Sequence, residues 1–202
     1  MDRDQGIALP EPRFDGDVSL ETSVHERRSV REYSSRPLSL ADVGQLLWAA
    51  QGVTSRDDRR SAPSAGALYP LELYLVAGDV ESLPAGLYRY APRGHRLQHV
   101  GDGDLRKSLA KAALGQSWVR RAPAVLVIAA VYERSAKKYG QRARRYSHIE
   151  TGHVAQNVYL QAVALGLGTV IVGAFDDAEV QQVLDLPDDH APLAVMPVGH
   201  PR

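Results

Sequence analysis

AVLVIAAV, residues 124–131, is an unbroken apolar run with the length of one β-strand. A strand without polar residues on either face is expected where both faces of its sheet are covered by other elements. Helical patterns lie before it at 104–116 and after it at 148–165. Strands that alternate with helices around such a run predict a sandwich of the α+β or α/β class.

The other elements are predicted from periodicity and from capping residues. Ser39 and Asp176 have the residue type preferred at a helix N-cap, and Gly52 has the type preferred at a helix end. The predicted elements are helices at 20–33, 40–51 and 177–184, and strands at 71–76, 86–90, 169–172 and 193–198. We expect residues 1–20, which are acidic and contain prolines, to form an N-terminal arm, and residues 21–202 to form a single domain.

Composition excludes several classes of function. Lys plus Arg and Asp plus Glu each number 24, so the overall charge favours neither nucleic acid nor an acidic partner. The chain has no cysteine, which excludes disulfides, thiolate metal sites and a cysteine nucleophile. No apolar run approaches the ~20 residues that span a bilayer, and the acidic N-terminus does not match a signal peptide. We therefore expect a cytoplasmic protein that binds neither membrane nor nucleic acid.

Three arginines and a serine are crowded together at Arg27, Arg28, Ser29 and Arg31. On the predicted helix at 20–33, Arg27 and Arg31 are four residues apart and share a face. Guanidinium groups and a hydroxyl that converge in this way form a good phosphate cradle. The alternative is a solvated helix face on which neighbouring glutamates are the partners of the arginines.

Residues 63–67, PSAGA, have almost no side-chain bulk and run directly into the predicted strand at 71–76. Such a stretch offers backbone N–H groups and one hydroxyl, and it lets a flat ring approach the main chain. A nucleophilic Ser64 is conceivable, although the G-x-S-x-G pattern is absent. A tight turn before a strand explains the same composition.

Residues 134–146 are basic and contain two tyrosines. The adjacent Lys138 and Tyr139 are residue types that supply acid–base chemistry. A solvated loop is the alternative, and nucleic-acid binding is a third, weaker one because the net charge is zero. We expect no metal site, because His148 and His153 are five residues apart and lie about 140° from each other around a helix.

Five segments occur in the order in which the nitroreductase family has them, and together they span roughly residues 7–200. The chain most closely resembles the SagB-type branch of FMN-dependent dehydrogenases. The segments are RRSVREYSSRPLSLADVGQLLWAAQGV from Arg27, PSAGALYPLELYLV from Pro63, GLYRY from Gly86, KKYGQRARRYSHIETGHVAQN from Lys137 and LGLGTVIVGAFDD from Leu165.

This resemblance implies an α+β flavoprotein with a central, mainly antiparallel sheet flanked by helices. It also implies a homodimer with FMN at the subunit interface, where the proline–serine stretch comes from the partner subunit. The implied FMN contacts are Arg27, Arg28, Ser29 and Arg31 for the phosphate and ribityl chain, Pro63, Ser64, Ala65, Gly66 and Leu68 for the ring, Val172, Gly173 and Ala174 at its reactive face, and Gln156 and Asn157 as further polar contacts. Lys138 and Tyr139 match the catalytic pair of the peptide-modifying members.

The implied activity is hydride transfer between NAD(P)H or an organic substrate and an acceptor such as a nitro compound or a quinone. The alternatives are an azoline-to-azole dehydrogenase of a modified peptide, a non-catalytic flavin-binding module, and a structural protein whose arginines face water. Two departures from the family pattern bear on the site. Val172 stands where many members have a glutamate, and the final PVGHPR lacks the usual basic pair, so we expect either that the N-terminal arginines are the main phosphate ligands or that FMN is bound more weakly.

Overall fold

The computed structural model describes residues 6–202 and contains a seven-stranded sheet with the spatial order β1-β4-β3-β2-β5-β7-β6. Every pair of neighbouring strands is antiparallel. The strands are β1 (Ile7–Ala8), β2 (Leu71–Ala77), β3 (Gly86–Ala91), β4 (Arg96–Asp102), β5 (Ala124–Ala130), β6 (Gly168–Thr169) and β7 (Ala191–Gly199). The sheet and its flanking helices confirm the predicted α+β class.

Strand β5 lies at the centre of the sheet, between β2 and β7. All seven of its residues are buried because alternate side chains point into two different hydrophobic clusters. Leu126 and Ile128 face one cluster, and Val125 and Val127 face the other. This explains why the apolar run at 124–131 has no polar residues.

Helices cover both faces of the sheet. Helices α2 (Leu40–Gln51) and α6 (Arg142–Ala164) contribute Leu46, Leu47, Val154 and Val158 to the first cluster. On the opposite face the second cluster receives residues of three short helices. These are α3 (Arg106–Ala112), α4 (Ser117–Arg121) and α7 (Asp177–Val183), and the remaining helices of the described chain are α1 (Leu20–Glu26) and α5 (Tyr132–Tyr139).

The predicted capping residues act as caps. The Ser39 hydroxyl accepts a hydrogen bond from the Asp42 N–H at 3.0 Å, and the Asp176 carboxylate accepts one from the Glu179 N–H at 2.9 Å. Gly52 follows the last residue of α2 as predicted. These signals are local, which is why sequence alone was sufficient to place them.

Three predicted helices are wrong in extent, and the first two lie at 20–33 and 104–116. The helix predicted at 20–33 ends at Glu26, because the following residues extend along the sheet edge and Ser29 pairs with Thr169. The helix predicted at 104–116 is divided into α3 and α4, because Leu114 and Gly115 adopt positive φ values of 56° and 76°. A long-range pairing caused the first error and a local turn caused the second.

The basic stretch at 134–146 is helical rather than a loop, although most of its basic side chains, Lys137, Lys138, Arg142, Arg144 and Arg145, are exposed to solvent as that alternative expected. It comprises most of α5 and the first turns of α6, which begins at Arg142 and therefore six residues before the predicted start. Gly140 separates the two helices with a backbone conformation (φ 53°, ψ −133°) that favours glycine.

Strands β1 and β4 were not predicted, and the predicted strand at 169–172 is shortened to β6. The described part of the predicted N-terminal arm is attached to the sheet and to α2. Ile7 and Ala8 pair with β4, Leu9 is buried, and the Gln45 side chain bonds both backbone polar groups of Arg13. Residues 1–5 lie outside the described residues.

Between residues 6 and 202, no helix combines the length and the apolar composition needed to cross a membrane.

Candidate functional site

The arginine-rich segment is held in place by the edge of the sheet. The Val30 N–H donates to the Thr169 carbonyl at 2.9 Å, and Ser29 pairs with Thr169 in a parallel bridge. Gly168 permits this approach, because a Cβ atom at that position would lie 2.6 Å from the Val30 Cβ. The Arg27 guanidinium and the Ser29 hydroxyl approach Tyr159, which belongs to the first cluster, whereas Arg31 lies over Trp118, which packs against the second. The shared face of Arg27 and Arg31, predicted from a helix over 20–33, is therefore not what the structure has.

Tyr159 of α6 connects the arginine-rich segment to the residues that follow β6, at 171–174. Its hydroxyl oxygen accepts a hydrogen bond from the Ile171 N–H at 2.9 Å and lies 3.2 Å from the Ser29 Oγ. The Arg27 guanidinium lies over its ring, 5.2 Å from the centroid. Sequence analysis missed Tyr159, and only its place on the apolar side of a long helix could have indicated it.

Arg28 and Arg31 occupy different surroundings. The Arg28 guanidinium donates to the carbonyls of His25 and Arg27, both at 2.8 Å, and the Arg31 guanidinium lies 5.6 Å from the Trp118 ring. Within residues 6–202 none of the three arginines forms an ion pair with a carboxylate. The neighbouring-glutamate alternative is therefore not what the structure has, and Glu26 lies beside His25 instead.

The strand-end residues lie on the same side of α6 as Tyr159. Val172 is buried and pairs with Val195, whereas Gly173 and Ala174 are exposed. Gly173 lines a cavity of about 350 Å³ together with Tyr132 and His148, whose hydroxyl and Nε2 are 2.9 Å apart. We call Arg27, Ser29, Tyr159, Ile171 and Gly173 the cradle half-site.

Replacement of Tyr159 by Phe is expected to destabilise the chain by about 1–2 kcal/mol, because the Ile171 N–H and the Ser29 hydroxyl lose their partner. Urea unfolding followed by circular dichroism measures this difference. Tyr146→Phe is the control, since the Tyr146 hydroxyl makes no hydrogen bond among residues 6–202. Equal midpoints for the two variants would show that Tyr159 does not hold the cradle half-site.

The small-residue stretch forms a 3-10 turn at Ala65–Ala67, with positive φ values of 63° at Gly66 and 53° at Ala67. The Ser64 hydroxyl accepts a hydrogen bond from the Tyr69 N–H at 2.9 Å. The Ala67 N–H is bonded to the Ser64 carbonyl at 3.0 Å, so part of the expected set of free N–H groups is already used within the turn.

The turn is in contact with the predicted catalytic pair. A Cβ atom placed on Gly66 would lie 2.7 Å from the Tyr139 hydroxyl and 3.0 Å from the Lys138 Nζ. The Lys138 ammonium lies 5.4 Å from the centre of the Tyr139 ring, and Tyr139 packs edge-on against Tyr146 at 5.1 Å. The structure thus brings together two motifs that are 72 residues apart in the sequence.

Glu150 of α6 lies behind the turn and was also missed. Its carboxylate Oε1 accepts a hydrogen bond from the Ala65 N–H at 2.8 Å, and its Oε2 is buried. Burial raises the pKa of Glu150, and the Ala65 N–H, the Ser64 side chain and His153 oppose this rise. We call Ser64, Gly66, Lys138, Tyr139 and Glu150 the loop half-site.

The other predicted contacts fall into three groups. Asn157 donates to the carbonyls of Ala49 and Ser61 at 3.0 and 3.4 Å, so it holds α2 and the loop to α6. Gln156 and Pro63 are exposed. Leu68 is half-buried at the end of the 3-10 turn.

The two half-sites lie on opposite sides of α6. Glu150 and Tyr159 are nine residues apart on this helix, which corresponds to about 180° of rotation and roughly 14 Å along its axis. Within one chain, α6 therefore separates the arginine cradle from the bare turn and the Lys138–Tyr139 pair.

Both half-sites have the chemistry that a flavin nucleotide requires. The cradle half-site presents a hydroxyl and a guanidinium group that has no carboxylate partner in the described part of the chain, and both groups suit a phosphate. In the loop half-site, Gly66 and Ala67 are exposed, and the absent Cβ of Gly66 lets the Tyr139 hydroxyl and the Lys138 Nζ approach the main chain, so the turn offers a low surface beside these two groups. Lys138 and Tyr139 place two proton-carrying groups beside that surface.

Comparison with known proteins agrees with this chemistry. The model of the nitroreductase family matches residues 24–200. A proposed nitroreductase of Methanocaldococcus jannaschii is 49% identical over 183 residues, which are 91% of each chain. A solved structure of a proposed nitroreductase from Ralstonia eutropha JMP134 superimposes with a TM-score of 0.87 at 31% identity, and covers 100% of this chain and 92% of the other.

Two further relatives are matched over a smaller share of their own length. The microcin B17-processing protein McbC of Escherichia coli is 31% identical over 171 residues, so the match covers 80% of this chain and 62% of McbC. The NADPH-flavin oxidoreductase of Vibrio harveyi is 33% identical over 113 residues, which are 52% of this chain and 47% of that protein.

Proposed function

Since this chain belongs to the nitroreductase family, we propose that it is an FMN-dependent oxidoreductase. It transfers hydride between NAD(P)H, or an organic substrate, and an acceptor such as a nitro compound or a quinone. The observation that supports this most strongly is the convergence of Arg27 and Ser29 on Tyr159, with no carboxylate partner for the arginine among residues 6–202. A guanidinium group beside a hydroxyl suits a phosphate, because charge-assisted hydrogen bonds to phosphate are stronger than neutral ones.

The residues of this chain bind, orient and exchange protons. Arg27, Arg31 and Ser29 hold the phosphate and ribityl chain, and the exposed backbone at Gly66 supports the ring. The flavin, when bound, supplies an acceptor and donor of two electrons. Lys138 and Tyr139 give or take the proton that accompanies the transfer, since both lie over Gly66.

We further propose a homodimer in which the cradle half-site of one subunit faces the loop half-site of the other. The separation of the half-sites by α6 supports this, because the two half-sites lie on opposite faces of that helix within a single chain. Phe14, Leu20 and Val24 are 82%, 63% and 56% exposed, although they are large apolar residues close together in the chain. Apolar side chains exposed in this way are typical of a surface that a partner covers.

The experiment that tests the function begins with the visible spectrum of the purified protein after incubation with FMN and gel filtration. A stoichiometric flavin spectrum, bleached by NADH or NADPH and restored by a nitroarene or a quinone, is the expected result. Bound FMN that neither nucleotide reduces would leave the non-catalytic flavin-binding module as the better description. A protein that retains no FMN would refute the proposal.

The double variant Leu20→Glu, Val24→Glu is expected to convert the dimer into a monomer and to weaken FMN binding more than tenfold, because each half-site loses its complement. Sedimentation velocity and FMN fluorescence quenching measure the two effects. Val100→Glu, a similar change at a residue that is 44% exposed on β4, is the control. A monomeric variant that binds FMN normally would show that the half-sites do not combine between subunits.

A second candidate is an azoline-to-azole dehydrogenase of a modified peptide. It is supported by the position of Lys138 and Tyr139 over Gly66 and by the similarity to the microcin B17-processing protein McbC. Oxidation of a thiazoline peptide, compared with NADPH turnover on a nitroarene, separates the two candidates. Loss of peptide oxidation in Lys138→Ala, with nitroarene turnover kept, would favour the dehydrogenase.

A further inference from the structure

The proposed chemistry assigns no role to the carboxyl group of Glu150, which is buried behind the turn at Ala65–Ala67. The residue is 3% exposed, and its Oε1 is bonded to the Ala65 N–H at 2.8 Å. Its Oε2 is buried, and the Ser64 side chain faces the carboxyl from the loop. A buried carboxyl is unfavourable for folding unless polar groups satisfy it, and the groups that do so here, the Ala65 N–H and the Ser64 side chain, both belong to the turn or adjoin it.

The bond to Ala65 fixes the point at which the turn begins. Ala65 is the first residue of the 3-10 turn, and the next residue, Gly66, has the positive φ value and meets Lys138 and Tyr139. The Ser64 hydroxyl bonds the N–H of Tyr69 on the other side of the turn. Glu150 therefore connects the first residue of the turn to α6, in addition to the contacts that His153 and Asn157 of the same helix make with Pro63 and Ser61.

We propose that Glu150 is a positioning residue of the loop half-site, which holds the Gly66 turn against Lys138 and Tyr139 and thereby fixes the surface on which the flavin ring lies. This inference rests on the proposed FMN-dependent function. Glu150 itself need not touch the flavin, because it acts through the backbone of Ala65.

Titratable and polar groups surround this carboxyl from three elements. Tyr146 and His153 share α6 with it, and the His153 Nδ1 lies 3.4 Å from the Pro63 carbonyl oxygen. Ser64 faces it from the loop. Lys138 and Tyr139 of α5 lie across Gly66, and no cation among residues 6–202 forms an ion pair with it.

The sign of the pH effect follows from burial. Because the pKa of Glu150 is raised in the folded chain, this group favours folding most below its ordinary pKa, and the stability falls as the pH rises through the folded-state value. Glu150→Gln keeps an oxygen acceptor for the Ala65 N–H but does not titrate, so this part of the pH dependence disappears in that variant.

The test compares the full chain with Glu150→Gln, Glu150→Ala and the control Glu81→Ala, which removes an exposed carboxylate far from the loop half-site. Hydrogen exchange of the Ala65 amide is measured without flavin, and FMN affinity is measured by fluorescence quenching. In Glu150→Ala we expect exchange about tenfold faster and FMN binding at least about tenfold weaker. Glu150→Gln is expected to keep the exchange rate and the FMN affinity within about threefold of the wild-type values. Glu81→Ala is expected to leave both quantities unchanged. Unfolding midpoints from pH 4 to 8 supply the third readout.

Wild-type exchange and FMN affinity in Glu150→Ala would overturn the inference, as would a Glu150→Gln variant as impaired as the alanine variant. If Glu150→Ala does not fold, Glu150→Asp replaces the alanine variant in the comparison, because its side chain is shorter by one methylene group and draws the acceptor away from the Ala65 N–H. Absence of FMN binding in the wild-type chain would refute the proposed function instead. Hydrogen exchange would then still decide whether Glu150 fixes the turn.

Discussion

The double variant Arg27→Ala, Arg31→Ala is expected to bind FMN at least about a hundredfold more weakly than the wild-type chain. Each charge-assisted contact to a phosphate contributes about 1.5–3 kcal/mol, and a tenfold change in affinity corresponds to about 1.4 kcal/mol. Arg27 is expected to account for the larger share, because it converges with Ser29 on Tyr159 while Arg31 lies over Trp118. Fluorescence quenching of FMN by each variant gives the dissociation constants.

Arg36→Ala is the matched control, since Arg36 is exposed and follows closely after the same segment. Its affinity for FMN is expected to equal that of the wild type at the same ionic strength. Unchanged flavin retention in the double variant would show that the arginines merely face water. An equal loss in Arg36→Ala would show that the net charge, rather than the cradle geometry, determines binding.

The variant Gly66→Ala is expected to lower turnover by about a hundredfold while the chain remains folded. The new Cβ would lie 2.7 Å from the Tyr139 hydroxyl and 3.0 Å from the Lys138 Nζ, so both side chains must move away. Displacement of catalytic groups by about 1 Å can lower a rate about a hundredfold. Steady-state reduction of a nitroarene, at saturating FMN, measures the effect.

Gly115→Ala separates this displacement from backbone strain. Gly115 also has a positive φ, 76°, but a Cβ there would meet nothing within 4 Å. A methyl group at positive φ destabilises either variant by roughly 1–2 kcal/mol, which thermal unfolding detects. Activity lost equally in both variants would attribute the effect to strain and would remove the reason to place Lys138 and Tyr139 in the site.

Local signals allowed most of the fold to be predicted. The caps at Ser39 and Asp176 and the central strands at 71–76 and 124–131 depend on neighbouring residues, and the structure has them. The helix predicted at 20–33 failed because Ser29 pairs with a residue far along the chain. Strand β4, which pairs with β1 and β3, was missed because its exposed residues lack a clear alternation of apolar and polar positions.

The candidate site was only partly predictable for a similar reason. The arginine cluster and the bare stretch at 63–67 are visible as unusual composition. Tyr159 and Glu150 are single residues within a long helix, and their importance depends on which carbonyls, amides and hydroxyls α6 meets in three dimensions. The division into two half-sites also depends on the helical angle between these residues, which required the true extent of α6.

The pairing of Ser29 with Thr169 joins residues about 140 positions apart in the chain. Contacts of such sequence separation close a large loop, and they form late because the loss of chain entropy precedes any gain. During synthesis, the arginine segment emerges first but has no edge to dock on until β6 and β7 have followed. The proposed phosphate cradle thus forms only after β6 and β7 have been added, so flavin retention would report on the docking of the arginine segment at the sheet edge.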